Sequence, residues 1–130
     1  MPAIISVRRD FPGYRRGGRL RVRFPRRGQN QSHMKVYISG PITGFNRTAV
    51  EQMFAAAEEK IRQRGDIPIN PLRNGLTEEA TWREHMNADL RMLIECDAIY
   101  MVGQWWESRG AMIEWNLANG LDLRMYNLMP

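Results

Sequence analysis

The chain has 130 residues and a formal net charge of +5, and its 43% hydrophobic and 25% charged residues make an ordinary globular composition. That length fits one domain and excludes two full ones. No run of about 18 apolar residues exists, which excludes a membrane-spanning helix, and a single cysteine excludes an internal disulfide and a cysteine-based zinc site.

Residues 1–33 come first and are set apart by charge. They hold nine arginines (Arg8, Arg9, Arg15, Arg16, Arg19, Arg21, Arg23, Arg26 and Arg27) against one acid, Asp10, a net +8. Met34–Pro130 holds ten basic and thirteen acidic residues, a net −3. The sequence pI of 10.0 therefore describes a leader rather than a fold. The leader is rich in glycine and proline and poor in large apolar residues, so it lacks the burial that offsets ordering entropy. The expectation is a disordered segment, or upstream sequence from an over-extended start. One piece, Leu20–Phe24, alternates apolar and basic residues as a strand does. The segment is also Arg-rich and acid-poor like a transit peptide, but it lacks a good amphipathic helix, and it has no secretory h-region. Nucleic acid becomes a partner only if this arm functions, giving salt-sensitive, non-specific binding. With the leader set aside, the case for a nucleic-acid-binding domain dissolves. The lone cysteine fits a reducing compartment, so a cytoplasmic location is expected.

Beyond the leader, Lys35–Ser39 reads as a strand, followed by a Gly/Pro loop, Gly40–Gly44. Thr48 is expected to cap a helix running to about Gln63, with Glu51 completing a capping box. Val50, Phe54, Ala57 and Ile61 give that helix an apolar stripe, and Gly65 stops it. Asp66–Ile69 is a second strand, and Asn70–Pro71 and Asn74–Gly75 mark a loop. A helix from Thr77 or Trp82 to about Glu95 places Trp82, Met86, Leu90, Leu93 and Ile94 on one face. Ala98–Val102 is apolar without alternation, as a parallel strand covered on both faces is. After the loop Gly103–Glu107, Ser108 caps a helix to about Asn119, Gly120 ends it, and Leu121–Tyr126 is the last strand.

The order β-α-β-α-β-α-β predicts an α/β fold: a three-layer sandwich, Rossmann-like or flavodoxin-like, with a short parallel sheet of about four strands. Ligands of such sheets bind beyond the carboxyl ends of the strands, near the switch point. The loops Ser39–Gly44 and Gly103–Gly110 are expected to meet there. A domain this small often gains from oligomerisation, so a homodimer or larger assembly is expected.

Two acids stand where apolar residues are expected. Asp89 follows Met86 by three residues and precedes Leu93 by four, at the flank of the buried stripe. Glu114 lies among Gly110, Ala111 and Ala118 on a helix surface suited to close packing. A buried carboxylate needs partners or a raised pKa. Two carboxylates near one crevice are what cleavage of a glycosidic bond uses, one attacking the anomeric carbon and one assisting the leaving group. If Asp89 gives the proton, the retaining pathway places the two carboxyl groups only about 5–5.5 Å apart. Taken singly, each acid reads as a solvated or salt-bridged group; the pair is what points to chemistry. Ser108 and the amides of Arg109 and Gly110 form a helix start that favours an anion, while Gly40 and Gly44 let backbone approach a ligand closely. Trp105 and Trp106 stand in the same loop and read as a subunit interface or plain packing, or as a base-stacking surface. Cys96 is expected to be a buried, inert thiol, and His85 a surface residue. Two histidines and one cysteine, widely spaced, hold no metal cluster, and no cofactor is expected.

Taken together, Tyr37–Gly44 (YISGPITG), Asp89–Leu90 with Asp97 eight residues on, and Ser108–Glu114 (SRGAMIE) resemble the nucleoside 2-deoxyribosyltransferase superfamily over about Met34–Met125. That superfamily includes the deoxynucleoside 5′-monophosphate N-glycosidases and small, often phage-borne members, which this chain resembles most in length. The resemblance implies that Glu114 is the nucleophile, that Asp89 assists the base or orients the sugar, and that Tyr37 lines the pocket. It further implies a 5′-phosphate on Ser108, with Gly40, Ile42 and Gly44 in the facing loop, and a structural Asp97. Thr43 stands where the monophosphate glycosidases carry arginine, and Pro41 also departs from them; Arg109 is the candidate to take that arginine's place at the phosphate. The longer transferases end in a segment this chain lacks, which favours hydrolysis over transfer between bases. The implied partner is a small nucleoside or nucleotide, and the alternative is a non-catalytic nucleotide-binding module.

Overall fold

A computed structural model describes residues 33–129. The arginine leader, apart from His33, lies outside the described residues, and so do the alternating Leu20–Phe24 piece and the proposed nucleic-acid arm. The four strands are β1 (Lys35–Ser39), β2 (Ile67–Ile69), β3 (Ala98–Met101) and β4 (Arg124–Tyr126). Three helices connect them: α1 (Arg47–Gln63), α2 (Trp82–Leu93) and α3 (Arg109–Gly120). Short 3-10 turns at Pro71–Arg73 and Trp105–Glu107 precede α2 and α3. All pairings are parallel, in the order β2-β1-β3-β4.

That order explains the layers. The step from β1 to β2 runs one way across the sheet, and the later steps run the other way. Crossovers of a single hand must then put α1 on one face and α2 and α3 on the other. Side chains along β1 alternate accordingly. Val36 and Ile38 pack with Val50, Phe54, Ala57 and Ile61 of α1. Tyr37 joins the opposite core with Leu93, Ile99, Met101, Ala111 and Ala118. Ser39, two residues after Tyr37, points to that same face. The chain reverses its direction of travel between β1 and β3, so the switch point lies at their carboxyl ends.

Several local details depart from expectation. Asn46, not Thr48, caps α1: its backbone is extended and its side chain accepts from the Ala49 amide at 3.0 Å. Asparagine is the stronger cap, and Glu51 instead pairs with Arg47 at 3.1 Å. The capping box sits on α2, where Thr81 accepts from the Glu84 amide at 3.0 Å and Glu84 accepts from the Thr81 amide at 2.8 Å. That reciprocal pair starts the helix at Trp82 rather than Thr77. Ile94, expected in the buried stripe, is the C-cap of α2 and 55% exposed, because the helix ends at Leu93. The last strand begins at Arg124, not Leu121. Residues 121–123 close α3, with Asp122 at φ 59° and the Leu123 amide donating to Ala118 O at 3.0 Å.

Asp97 ties the strand starts together. Its Oδ2 accepts from the Lys35 amide at 2.9 Å, its own amide donates to Lys35 O at 2.9 Å, and its carbonyl accepts from the Arg124 amide at 3.3 Å. Cys96 is buried and its thiol donates to Met92 O at 3.3 Å. Burial pushes that thiol up to about 12, which keeps it protonated.

Candidate active site

Glu114 sits in the second turn of α3, on the side that faces β1. The helix begins at Arg109 because Ser108 caps it, its Oγ accepting from the Ala111 amide at 3.2 Å. The small residues Ala111 and Ala118 are fully buried one turn either side of Glu114 and let α3 approach the sheet closely. The approach brings the carboxylate between two strand hydroxyls. Tyr37 Oη donates to Glu114 Oε2 at 2.7 Å, and Ser39 Oγ donates to Oε1 at 2.6 Å. Tyr37 and Ser39 reach the same carboxylate because residues two apart on a strand share a face.

Asp89 projects from α2, the other helix on this face, and is 6% exposed. Asn74, in the loop before α2, donates from Nδ2 to Asp89 Oδ1 at 2.8 Å. Gly110 lets the two helices meet: a Cβ there would stand 3.2 Å from Met86 Sδ.

Burial dominates the electrostatics. It pushes the Glu114 carboxyl up to about 7, and the charge of Asp89 adds to the rise. The Ser39 and Tyr37 hydroxyls oppose it by bonding the anion. Asp89 is raised for the same first reason, with the Asn74 bond pulling the other way. Tyr37 is held well above the usual phenol value by burial and then by Glu114 and Asp89, so it stays a donor. The arrangement is two buried carboxyl groups, each raised by burial, with the charge of Asp89 adding to the rise of Glu114. Among the described residues, no group of three His, Cys, Asp or Glu side chains is placed to hold a metal ion.

Gly40 lies at the carboxyl end of β1 against Val102. A Cβ on Gly40 would meet Val102 Cγ2 at 2.3 Å, so the loop leaves the sheet there only without a side chain. Gly44 completes the turn at φ 85°. Ile42 packs against the α1 core, and its carbonyl accepts from the Phe45 amide at 3.3 Å. Arg109 is exposed at the start of α3, with its guanidinium 4.0 Å from the centroid of the Trp82 ring.

Two expectations change here. Trp105 stacks on Trp115 with centroids 5.8 Å apart, and its indole N–H donates to Leu128 O at 2.8 Å. It is thus committed to packing, and the base-stacking surface reduces to Trp106, which is 41% exposed. His85 is no plain surface residue: it is half-buried, 3.0 Å from Asn74 Nδ2 through Nδ1 and 3.0 Å from Thr77 O through Nε2.

Sequence reasoning missed Ser39, Asn74 and Glu58. Ser39 was legible from its spacing to Tyr37. Asn74 read only as half of an Asn-Gly turn. Glu58 stands four residues after Phe54 and three before Ile61, on the buried stripe of α1, and is 4% exposed. Arg73 binds both its oxygens, and Asn70 Nδ2 donates to it at 3.1 Å. Arg73 first, with Asn70, holds the Glu58 carboxyl below its ordinary value despite burial.

An open groove of about 760 Å³ lies elsewhere. It runs between loop residues such as Leu76 and Thr77 and the outer face of α2 at Asn87 and Arg91. It does not include Glu114, which is 5% exposed. None of the described helices is long and apolar enough to cross a membrane.

A family model described as "Domain of unknown function (DUF4406)" matches residues 34–126. No curated protein sequence matches the chain. Among solved structures, the fold is similar to that of a 2-deoxyribosyltransferase from Bacillus psychrosaccharolyticus, with a TM-score of 0.55. The two are 20% identical, over 70% of this chain and 69% of that one. At that identity the likeness establishes the α/β fold.

Proposed function

The chain belongs to the family described as a domain of unknown function (DUF4406), and for this member we propose cleavage of the N-glycosidic bond of a (deoxy)nucleoside or nucleoside 5′-monophosphate. Transfer of the sugar to a second base is the same chemistry with another acceptor. The working unit is the domain from Met34 onward. The observation that carries the reading is the Glu114 carboxylate, buried at the switch point with one strand hydroxyl on each oxygen. Such a group is oriented, water-poor and coupled to a second acid, which is how a nucleophile of a retaining glycosidase is arranged. The fold shared with a 2-deoxyribosyltransferase supports it.

In the first step a Glu114 oxygen forms a bond to the anomeric carbon. The carbon–nitrogen bond breaks, and its electron pair leaves on the base, which takes a proton from Asp89. The Tyr37 and Ser39 hydroxyls fix the direction of attack. In the second step a water adds to the anomeric carbon, gives its proton to Asp89 and frees Glu114. Ser108, Arg109 and the amide of Gly110 receive the 5′-phosphate when the substrate has one. Gly40 and Gly44 shape the facing loop, and Trp106 offers a face to the base. A second copy of the chain covers exposed apolar residues such as Phe45 and Ile113.

The test is incubation with a panel of deoxynucleosides, ribonucleosides and their 5′-monophosphates, with chromatographic assay of free base. Base release by wild type and its loss in Glu114→Ala support the reading. No release from any member, or equal release by both proteins, overturns it.

A further inference from the structure

The loop that carries Asn74 is fastened more firmly than a connecting loop requires. Arg73, next to it, is bound to the buried Glu58 of α1. Asn74 Oδ1 accepts from the Leu76 amide at 2.9 Å, an Asx turn that fixes the side chain, and Gly75 follows at φ 89°. The Asn74 amide nitrogen then makes two contacts, to Asp89 Oδ1 at 2.8 Å and to His85 Nδ1 at 3.0 Å.

Hydrogen-bond complementarity settles the roles. A flipped Asn74 amide would set its oxygen against Asp89 Oδ1 and its NH2 against the Leu76 amide, so the nitrogen is where it is placed. Thr77 O only accepts, so His85 Nε2 carries a proton. Asn74 Nδ2 only donates, so His85 Nδ1 accepts. His85 is therefore neutral and in the Nε2–H tautomer. A proton on Nδ1 would put two donors face to face and break the hold on Asp89. The other groups that face Asp89 electrostatically are Glu114 of α3 and Tyr37 of β1. Asp89 Oδ2 makes no hydrogen bond to another described residue.

We propose that Asn74 and His85 are positioning residues that hold Asp89 by Oδ1, so that Oδ2 is the oxygen that carries and gives the proton. The inference rests on the reading of Asp89 as the acid that serves the departing base. Asn74 aims the carboxyl group, and His85 keeps both Asn74 donor hydrogens committed.

The full chain carries the test. Long-range ¹H–¹⁵N NMR near neutral pH is expected to show His85 as the neutral Nε2–H tautomer. Carboxyl ¹³C NMR of Asn74→Ala is expected to show Asp89 titrating at higher pH than in wild type. The same shift is expected for His85→Phe, while His85→Asn, which keeps an acceptor near the Nδ1 position, returns toward wild type. For base release, Asn74→Ala is expected to lower kcat about tenfold to a hundredfold with KM changed far less. A protonated or Nδ1–H imidazole in wild type, or an Asp89 titration unmoved in Asn74→Ala, overturns the inference and leaves nucleoside cleavage standing. No base release by wild type, with the Asp89 titration moved, overturns the functional reading instead and supports the hold of Asn74 on Asp89.

Discussion

Replacing Glu114 by glutamine is expected to stabilise the protein, and to do so only on the alkaline side. Burial raises the Glu114 carboxyl from 4.5 to about 7 in the folded chain. The folded state therefore binds a proton that the unfolded state has released, and the stability associated with Glu114 falls as pH rises from about 4.5 to about 7. At about 1.4 kcal/mol per pH unit the rise corresponds to about 3 kcal/mol of stability lost above the folded value. Glutamine is neutral throughout and escapes that loss. Its amide oxygen accepts from Tyr37, but its NH2 forces Ser39 to turn its hydroxyl proton elsewhere, at a cost of about 1 kcal/mol. The net expectation at about pH 8.5 is a gain of about 2 kcal/mol, or about 10 °C in Tm for a domain of this size. At about pH 4 the gain vanishes, because Glu114 is then protonated in both states. Urea unfolding of Glu114→Gln and wild type across this range, followed by tryptophan fluorescence, reads the difference directly. Other titrating groups cancel in that difference, apart from Asp89, whose relief adds in the same direction. Parallel stability curves for the two proteins, or a wild type that gains on the variant as pH rises, would refute the reasoning. The gain is the expected signature of a group kept for chemistry at the expense of the fold.

Three further outcomes are expected. Tyr37→Phe and Ser39→Ala each remove a donor from the Glu114 anion, so the ascending limb of kcat/KM, centred near pH 7 in wild type, moves to higher pH in both variants. Gly40→Ala drives a Cβ into Val102 and is expected to cost about 1–3 kcal/mol in urea unfolding, where an alanine at Gly120 meets nothing within 4 Å. Glu58→Gln removes the charge that Arg73 and Asn70 bind, with an expected loss of about 1–2 kcal/mol at neutral pH. Because the Glu58 carboxyl is lowered on folding, its contribution is present above the ordinary carboxylate range and lost on acidification, so the cost of Glu58→Gln shrinks at low pH.

The layers and the sheet were legible because they follow from periodicity: apolar spacing in α1, an unbroken apolar β3, and a β-α alternation that permits few topologies. The two carboxylates were legible because each interrupts an apolar or small-residue face. Helix ends were less so. Asn46 and Thr48 both have capping side chains, and only the backbone at Asn46 decides between them. The network around Asp89 was not legible, because Asn74, His85 and Glu58 lie on three separate elements. Nothing local in the chain announces that Asn74 faces Asp89 fifteen residues on. Trp105 shows the converse: a place in the expected binding loop did not reveal that Trp115 and Leu128 take up its ring and its N–H.

The most direct test of the central claim is intact-protein and peptide mass spectrometry of the enzyme mixed with a nucleoside that it cleaves and quenched during turnover. A covalent glycosyl group on the Gly110–Arg124 tryptic peptide, localised to Glu114 and absent from Glu114→Gln, is the predicted result. Base released with no adduct and at an equal rate in Glu114→Gln, or an adduct on any other residue, would contradict the account.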